Sequence, residues 1–119
     1  MSYLITTRGD DDVFDVAVTD EDTGQPVDLT GADLTFMVKR YPSDPDTDAL
    51  ITKDTPTEVA ITLPATGGLA VVTLDAADTD DLAPGNYSWE LQVVDAANKV
   101  RTVAGGRFKI VADLIRAGA

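Results

Sequence analysis

Three short segments of the sequence carry residue types that could bind or react. Arg8-Gly9-Asp10 is an integrin-type tripeptide. Asp44-x-Asp46-x-Asp48 has the alternating carboxylates that open a calcium-binding loop, because a hard cation needs several oxygen ligands that converge on it. A third segment could gather a cation through four carboxylates: Asp75, Asp78, Asp80 and Asp81.

Each segment also has a plainer interpretation, which we favour. The tripeptide precedes a strand, where Gly9 suits a turn and Asp10 a local hydrogen bond. Counted from Asp44, a calcium loop would need Gly at its sixth position and an acid at its twelfth, where this chain has Ala49 and Thr55. We therefore expect a solvated loop there, turn and capping roles for the third segment, and no metal site.

The sequence offers few groups for catalysis. It contains no Cys and no His, which excludes disulfides, thiolate nucleophiles, Cys/His zinc sites and histidine bases. Ser43 and Ser88 lack a partner base in any recognisable motif, and the two Gly-Gly pairs precede strands rather than a phosphate-binding helix. A hydrolase that uses paired carboxylates stays open as an alternative. We expect no enzyme, no catalytic residue and no cofactor.

The charge balance is strongly acidic and limits the partners. Asp and Glu number 21 against 9 Lys and Arg, for a net charge of −12. Such a surface repels nucleic-acid phosphates and anionic membranes, so neither is an expected partner. The N-terminal residues do not read as a secretory signal, and no apolar run approaches the ~20 residues of a membrane span. We expect a protein made in the cytoplasm.

The elements that would position these residues are short alternating strands separated by Asp, Gly, Pro and Asn. This pattern predicts one all-β domain over residues 1–119, with a core at about 3–113 and a short loose tail at 114–119. Only residues 75–82 suit a helix, with Asp75 or Asp78 as its cap. Helices for parallel crossovers are missing, so we predict an antiparallel β-sandwich of about seven to nine strands, with a small barrel as the alternative. The predicted strands are residues 13–19, 34–39, 50–53, 59–63, 69–74, 86–93, 100–103 and 107–112.

The alternation also predicts which side chains face the core. Residues 86–93 give the clearest strand, in which Tyr87, Trp89, Leu91 and Val93 share one face. Residues 50–53 and 3–7 are the candidate edge strands. The inward positions predicted on the other strands are Phe14, Val16, Val18, Leu34, Phe36, Val38, Val59, Ile61 and Leu63.

The spacing Leu82-x-x-Gly85-x-Tyr87 points to a particular sandwich. In immunoglobulin-like domains, a Tyr near the start of a central strand bonds its hydroxyl to backbone a few residues upstream. Tyr87 has the position for this corner, with Leu82 as a core residue and Gly85 at the turn. The predicted fold is therefore immunoglobulin-like.

The order of several motifs resembles a known family. The matching pieces are Thr7-Arg8-Gly9-Asp10, Phe14-x-Val16-x-Val18-Thr19-Asp20, Val27-Asp28-Leu29-Thr30-Gly31-Ala32, Phe36-x-Val38-Lys39, Leu82-x-Pro84-Gly85-x-Tyr87, Gln92-Val93-Val94-Asp95 and Arg101-Thr102-Val103-Ala104-x-Gly106-x-Phe108-x-Ile110-x-x-Asp113. Over nearly its whole length the chain resembles the immunoglobulin-like N-terminal domain of baseplate upper proteins of tailed bacteriophages, and small stand-alone phage tail-region proteins. It departs from the family at Asn98, where Gly is common, although Asn tolerates the same positive φ.

The resemblance implies a structural protein of the bacteriophage virion that acts as a protein–protein docking module in the baseplate, the tail or a connector. Its expected partners are other virion proteins, with several copies of the chain, or a homo-oligomer, in the particle. The chain carries no long receptor-binding portion, so receptor recognition is not expected. The alternatives are a capsid decoration or head protein and a carbohydrate- or calcium-dependent adhesion module. For carbohydrate binding, Tyr41 is the only exposed aromatic side chain that the pattern predicts.

Overall fold

The computed structural model describes residues 3–20 and 22–113, so the expected tail at 114–119 lies outside the described residues. Within the described part no helix has the length and apolarity to cross a membrane. The described residues form eight strands and one short α-helix, α1(Ala76–Asp80). The strands are β1(Leu4–Thr7), β2(Asp12–Ala17), β3(Asp33–Lys39), β4(Ile51–Asp54), β5(Val59–Ile61), β6(Leu69–Leu74), β7(Gly85–Val94) and β8(Val100–Val111).

Two sheets confirm the predicted immunoglobulin-like β-sandwich. The larger sheet has the order β1-β8-β7-β3-β4, and the smaller has the order β2-β6-β5. This division of the strands is the one that immunoglobulin-type sandwiches show, with β3 and the last two strands of the chain in one sheet and the second strand beside β6 in the other. The two predicted edge segments are confirmed, since β1 and β4 lie at the two edges of the larger sheet.

One strand pair corrects the expectation of a wholly antiparallel fold. β1 pairs with β8 in parallel, with Leu4 opposite Phe108 and Thr7 opposite Val111. No crossover helix is needed, because the chain passes from β1 into the smaller sheet and reaches β8 more than ninety positions later. All the other ladders are antiparallel.

The core lies between the sheets and is built from the predicted inward positions. Trp89 is 3% exposed, and its ring centroid lies 5.7 Å from that of Phe36. Phe108 is fully buried and contacts both Phe36 and Phe14, at centroid distances of 6.4 and 6.0 Å. Rings from both sheets therefore meet in the middle of the sandwich.

Two details of the strands differ from the sequence prediction. Leu63 was predicted to face the core but is 83% exposed, because β5 ends at Ile61 and the chain turns outward before Pro64. The two strands predicted at residues 100–103 and 107–112 form the single strand β8. The register shifts where Leu91 pairs with Ala104 and Gln92 with Thr102, so β8 continues through the glycine pair as one strand.

The turn between β5 and β6 depends on one glycine. Gly68 has a φ of 68°, and a Cβ atom at this position would lie 2.6 Å from the backbone oxygen of Val18. Since Gly68 also accepts a hydrogen bond from the Val18 amide, the backbones approach too closely for any side chain.

The predicted tyrosine corner is present. Tyr87 lies on β7, and its hydroxyl donates a hydrogen bond to the backbone oxygen of Ala83. The bond fixes the chain where it leaves α1 and enters the centre of the larger sheet. The ring is 4% exposed, and the guanidinium carbon of Arg40 lies 5.5 Å from its centroid.

We expect Tyr87→Phe to lower the free energy of unfolding by about 1 kcal/mol, because it removes one hydrogen bond and retains the buried ring and its contact with Arg40. Urea unfolding measures the change. Tyr41→Phe is the matched control, since Tyr41 is 61% exposed and should change stability by less than about 0.5 kcal/mol. Equal effects of the two substitutions would show that the corner contributes nothing.

Candidate functional site

The Arg8-Gly9-Asp10 tripeptide forms the turn between β1 and β2. The Arg8 guanidinium binds the Asp113 carboxylate, with Nη2 and Nε at 2.9 and 3.0 Å from Oδ1. Both side chains are mostly buried, at 16% and 13% exposed. Gly9 has a φ of 80° and donates its N–H to Thr79 Oγ1 at 2.9 Å. Arg8 and Gly9 therefore join the turn to the end of β8 and to α1, and only Asp10 is exposed.

We expect Thr79→Val to destabilise the protein by about 1–3 kcal/mol. Thr79 is 1% exposed, and its hydroxyl accepts the Gly9 N–H, which an isosteric valine would leave without a partner. Thermal and urea unfolding measure the loss. Thr73→Val, the same change at an exposed position of β6, is the control and should be close to neutral. If the Thr79→Val protein were as stable as the control, the hydrogen bond between Thr79 and Gly9 would not contribute to stability.

The loop that holds Asp44, Asp46 and Asp48 is closed by a lysine. Lys39 Nζ lies 2.6 Å from Asp46 Oδ1 and 3.0 Å from the backbone oxygen of Asp44. Asp44 Oδ2 accepts the Tyr41 N–H at 3.2 Å. Two of the three carboxylates thus already have protein partners. Nowhere in the described part of the chain do three acidic side chains form a group that could hold a metal ion.

The third acidic segment begins α1, as predicted. Asp75 is the residue before the helix, and Asp78 Oδ2 accepts its N–H at 2.7 Å. A second carboxylate comes from a distant part of the chain, since Asp11 Oδ1 accepts the Ala76 N–H at 2.7 Å. These carboxylates satisfy donors that the first turn of a helix leaves unpaired.

Aspartates also close turns elsewhere. Asp28 Oδ1 accepts both the hydroxyl and the N–H of Thr30, at 2.6 and 2.9 Å. The side-chain hydrogen bond and then the backbone one lower the pKa of Asp28. Asp95 Oδ1 accepts two N–H groups in the turn before β8, where Asn98 takes the predicted positive φ of 63°.

An ion cluster around the buried Lys53 joins β4, the turn before β5 and α1, and the sequence did not predict it. Lys53 is 4% exposed, and its Nζ lies 2.8 Å from Asp78 Oδ2 and 3.4 Å from Glu58 Oε2. Burial by itself lowers the pKa of Lys53, but the hydrogen bonds and charges of Asp78 and Glu58 outweigh burial and raise it. The available signal was the spacing Ile51-x-Lys53, which puts both side chains on one face, but a four-residue strand leaves its facing ambiguous.

An acidic depression lies between the start of β2 and the end of β6. Asp11, Asp12 and Asp75 line it together with Val13, Thr73 and Leu74. It opens to solvent, and its carboxylates have structural partners. Asp11 binds the Ala76 N–H, and Asp12 Oδ2 accepts the Thr6 hydroxyl at 3.1 Å. This arrangement differs from a hydrolytic cleft, which needs a carboxyl with a raised pKa in apolar surroundings.

The exposed aromatic side chains are two rather than one. Tyr41 is 61% exposed, as predicted, and Tyr3, next to β1, is 50% exposed. The alternation did not identify Tyr3, since it precedes the strand. Tyr3 lies next to β1, at one edge of the larger sheet, and Tyr41 lies in the loop between β3 and β4, at the other side of the sheet, so they do not form one platform for a sugar ring.

No protein-family model and no curated protein matches the chain. Among solved structures, the chain is similar to AggA, the major subunit of aggregative adherence fimbriae type I from Escherichia coli. The two share 10% sequence identity over 95% of this chain and 91% of that one, with a TM-score of 0.36. An overlap this low supports no inference about function, and the assignment of the fold rests on the strand order and registers of this chain.

Proposed function

We propose that the chain is a non-enzymatic structural protein of a bacteriophage particle, a baseplate, tail or connector component that docks other virion proteins. The observation that carries the proposal is that the reactive side chains bind structural partners within the chain. Arg8, Asp46, Asp78 and Lys53, which could have bound ligands or taken part in catalysis, instead hold loops, strands and the helix in place. A rigid sandwich of this kind offers its edges and loops to partners.

The phage assignment is supported by the motif order over residues 7–113. The motifs include positions whose roles are structural in this chain, among them Arg8 with Asp113, Asp28 with Thr30, and Tyr87 with Ala83. Because the shared motifs consist of turn and corner residues, they are typical of a structural scaffold rather than of a catalytic centre.

Deletion of the gene from the phage genome that carries it tests the proposal. We expect particles that lack the protein and fail in tail or baseplate assembly, as seen by electron microscopy and by mass spectrometry of purified virions. Expression of the wild-type gene in trans should restore them. Normal, infectious particles after the deletion would contradict the proposal.

Calorimetry with calcium and with a glycan panel separates this function from an adhesion module. We expect no binding heat, because Lys39 already holds the Asp46 carboxylate and the two exposed tyrosines lie apart. Saturable heat with either ligand would favour the adhesion module instead.

A further inference from the structure

Each sheet of the sandwich ends in two strands that have a neighbour on one side only among the described residues. These edge strands are β1 and β4 in the larger sheet and β2 and β5 in the smaller. An open edge presents unpaired N–H and C=O groups to which another strand can add, and proteins protect such edges with charges, prolines or very short strands.

Three of the four edges carry such protection. β2 includes Asp12 and Asp15. β4 includes Asp54 and the inward-pointing Lys53, a charge that an added strand would have to accommodate. β5 is only three residues long and lies between Pro56 and Pro64.

β1 is short, at four residues, but its sequence, Leu-Ile-Thr-Thr, carries neither a charge nor a proline. Ile5 points outward and is 51% exposed, and Tyr3 beside it is 50% exposed. The strand is nevertheless fixed on its inner side, where Thr6 is 3% exposed and its hydroxyl binds Asp12 Oδ2 at 3.1 Å. β1 is therefore an ordered, uncharged and apolar edge.

We infer that β1 binds β1 of a second copy of this chain, antiparallel about a two-fold axis, so that two five-stranded sheets join into one of ten strands. In a two-fold contact, each copy binds the identical surface of the other copy. β1 permits such a contact because it carries no charge that would be repelled by the same charge on the second copy. Main-chain hydrogen bonds would supply the affinity, and the exposed Ile5 side chains would supply an apolar cross-strand contact. The inference rests on the proposed assembly role for its biological purpose.

The net charge of −12 is not concentrated on the strand that flanks β1, where Lys109 lies opposite Ile5. β8, the neighbour of β1, places Arg107 and Lys109 at exposed positions, and neither forms an ion pair with a described residue. In the joined sheet, the two β8 strands lie three strand spacings apart, about 14 Å. That exceeds the Debye length of about 8 Å at physiological salt, so repulsion between the cations of the two copies is largely screened.

The contact is small, so the expected affinity between two copies is low. A four-residue strand provides an interface well below the ~1,000 Å² of a stable dimer, so isolated chains should associate weakly. Fixed side by side in a particle, the same edges would meet at a high effective concentration.

Sedimentation equilibrium of the purified protein at concentrations from micromolar to millimolar tests the inference. We expect a monomer–dimer equilibrium, and Ile5→Lys should raise its dissociation constant about tenfold or more, because it places a charge on the edge. Val13→Lys is the matched control. Val13 is 56% exposed on edge strand β2, and the substitution changes the net charge equally, so it should leave the equilibrium unchanged.

Hydrogen exchange by NMR gives a readout that needs no substitution. Amides of Leu4–Thr7 that point away from β8 should gain protection as the protein concentration rises, and amides on the free side of β4 should not. A wild-type protein that stays monomeric at millimolar concentration, or a dimer that Ile5→Lys leaves intact, would overturn the inference. Neither result bears on the gene-deletion test, so failure of the dimer and failure of the phage assignment are distinguishable.

Discussion

Phe108→Ala is expected to destabilise the protein by about 3–5 kcal/mol, the largest effect of any single substitution considered. Phe108 lies on β8, has no exposed surface and contacts Phe14 of the opposite sheet as well as Phe36 of its own. Truncation removes the transfer free energy of the ring and leaves a cavity that surrounding strands cannot fill, because their registers are fixed on both sides. For a domain at the lower end of the usual range of roughly 5–15 kcal/mol, this loss would remove most of the free energy of unfolding.

Urea unfolding followed by Trp89 fluorescence measures this change. Val100→Ala, also on β8 but at a position that is 61% exposed, is the control and should cost less than about 0.5 kcal/mol. A loss below about 1 kcal/mol for Phe108→Ala would mean that the two sheets are not packed through this ring.

The core could be predicted from sequence because it depends on local alternation. Leu34, Phe36 and Val38 lie at every second position of one strand, and all three are fully buried. A period of two fixes the buried face of a strand wherever the run is long enough to define it. Leu63 shows the limit of the rule, since its strand ends at Ile61 and later positions no longer alternate about the same sheet.

The parallel neighbour of β1 could not be predicted in the same way. β1 and β8 are separated by most of the chain, and nothing in the residues 3–7 specifies which edge they join. By contrast, the tyrosine corner was predictable because its partners, Tyr87 and Ala83, lie four positions apart and the motif is local.

The candidate functional residues show the same difference between local and distant partners. The capping role of the segment at residues 75–81 follows from local spacing, and the structure confirms it through Asp78 and the N–H of Asp75. The partners of Arg8 and Lys53 come from distant parts of the chain, Asp113 and Asp78, and no local pattern specifies them. Sequence therefore predicted which residues serve turns and missed the ion pairs that connect the elements.

The largest expected electrostatic effect concerns the buried Lys53. Asp78→Asn should cost about 3 kcal/mol, because it leaves a buried ammonium group with only Glu58, whose Oε2 lies 3.4 Å away, as its counter-charge. Asparagine keeps an oxygen that can accept the Asp75 N–H, so the helix cap survives the substitution. Asp46→Asn is the matched control. It removes the partner of Lys39 from a pair in which the carboxylate is 77% exposed, and should cost about 1 kcal/mol or less.

Replacement of the lysine itself distinguishes the loss of a buried ion pair from the cost of an unpaired buried charge. Lys53→Met leaves the Asp78 carboxylate without its cation, but that carboxylate is 21% exposed and still accepts the Asp75 N–H, so this substitution should cost less than Asp78→Asn. The double variant Lys53→Met with Asp78→Asn should recover most of the loss caused by Asp78→Asn, because it removes both charges. The pH dependence has a defined sign. The pKa of Lys53 is raised in the folded state, so above its ordinary value of 10.5 the folded chain binds more protons than the unfolded one, and stability falls as pH rises through the folded pKa. Wild type should therefore lose stability relative to Lys53→Met in alkaline urea titrations. Parallel curves for the two proteins above pH 10.5, or an Asp78→Asn protein as stable as Asp46→Asn, would show that this cluster does not hold β4 against α1.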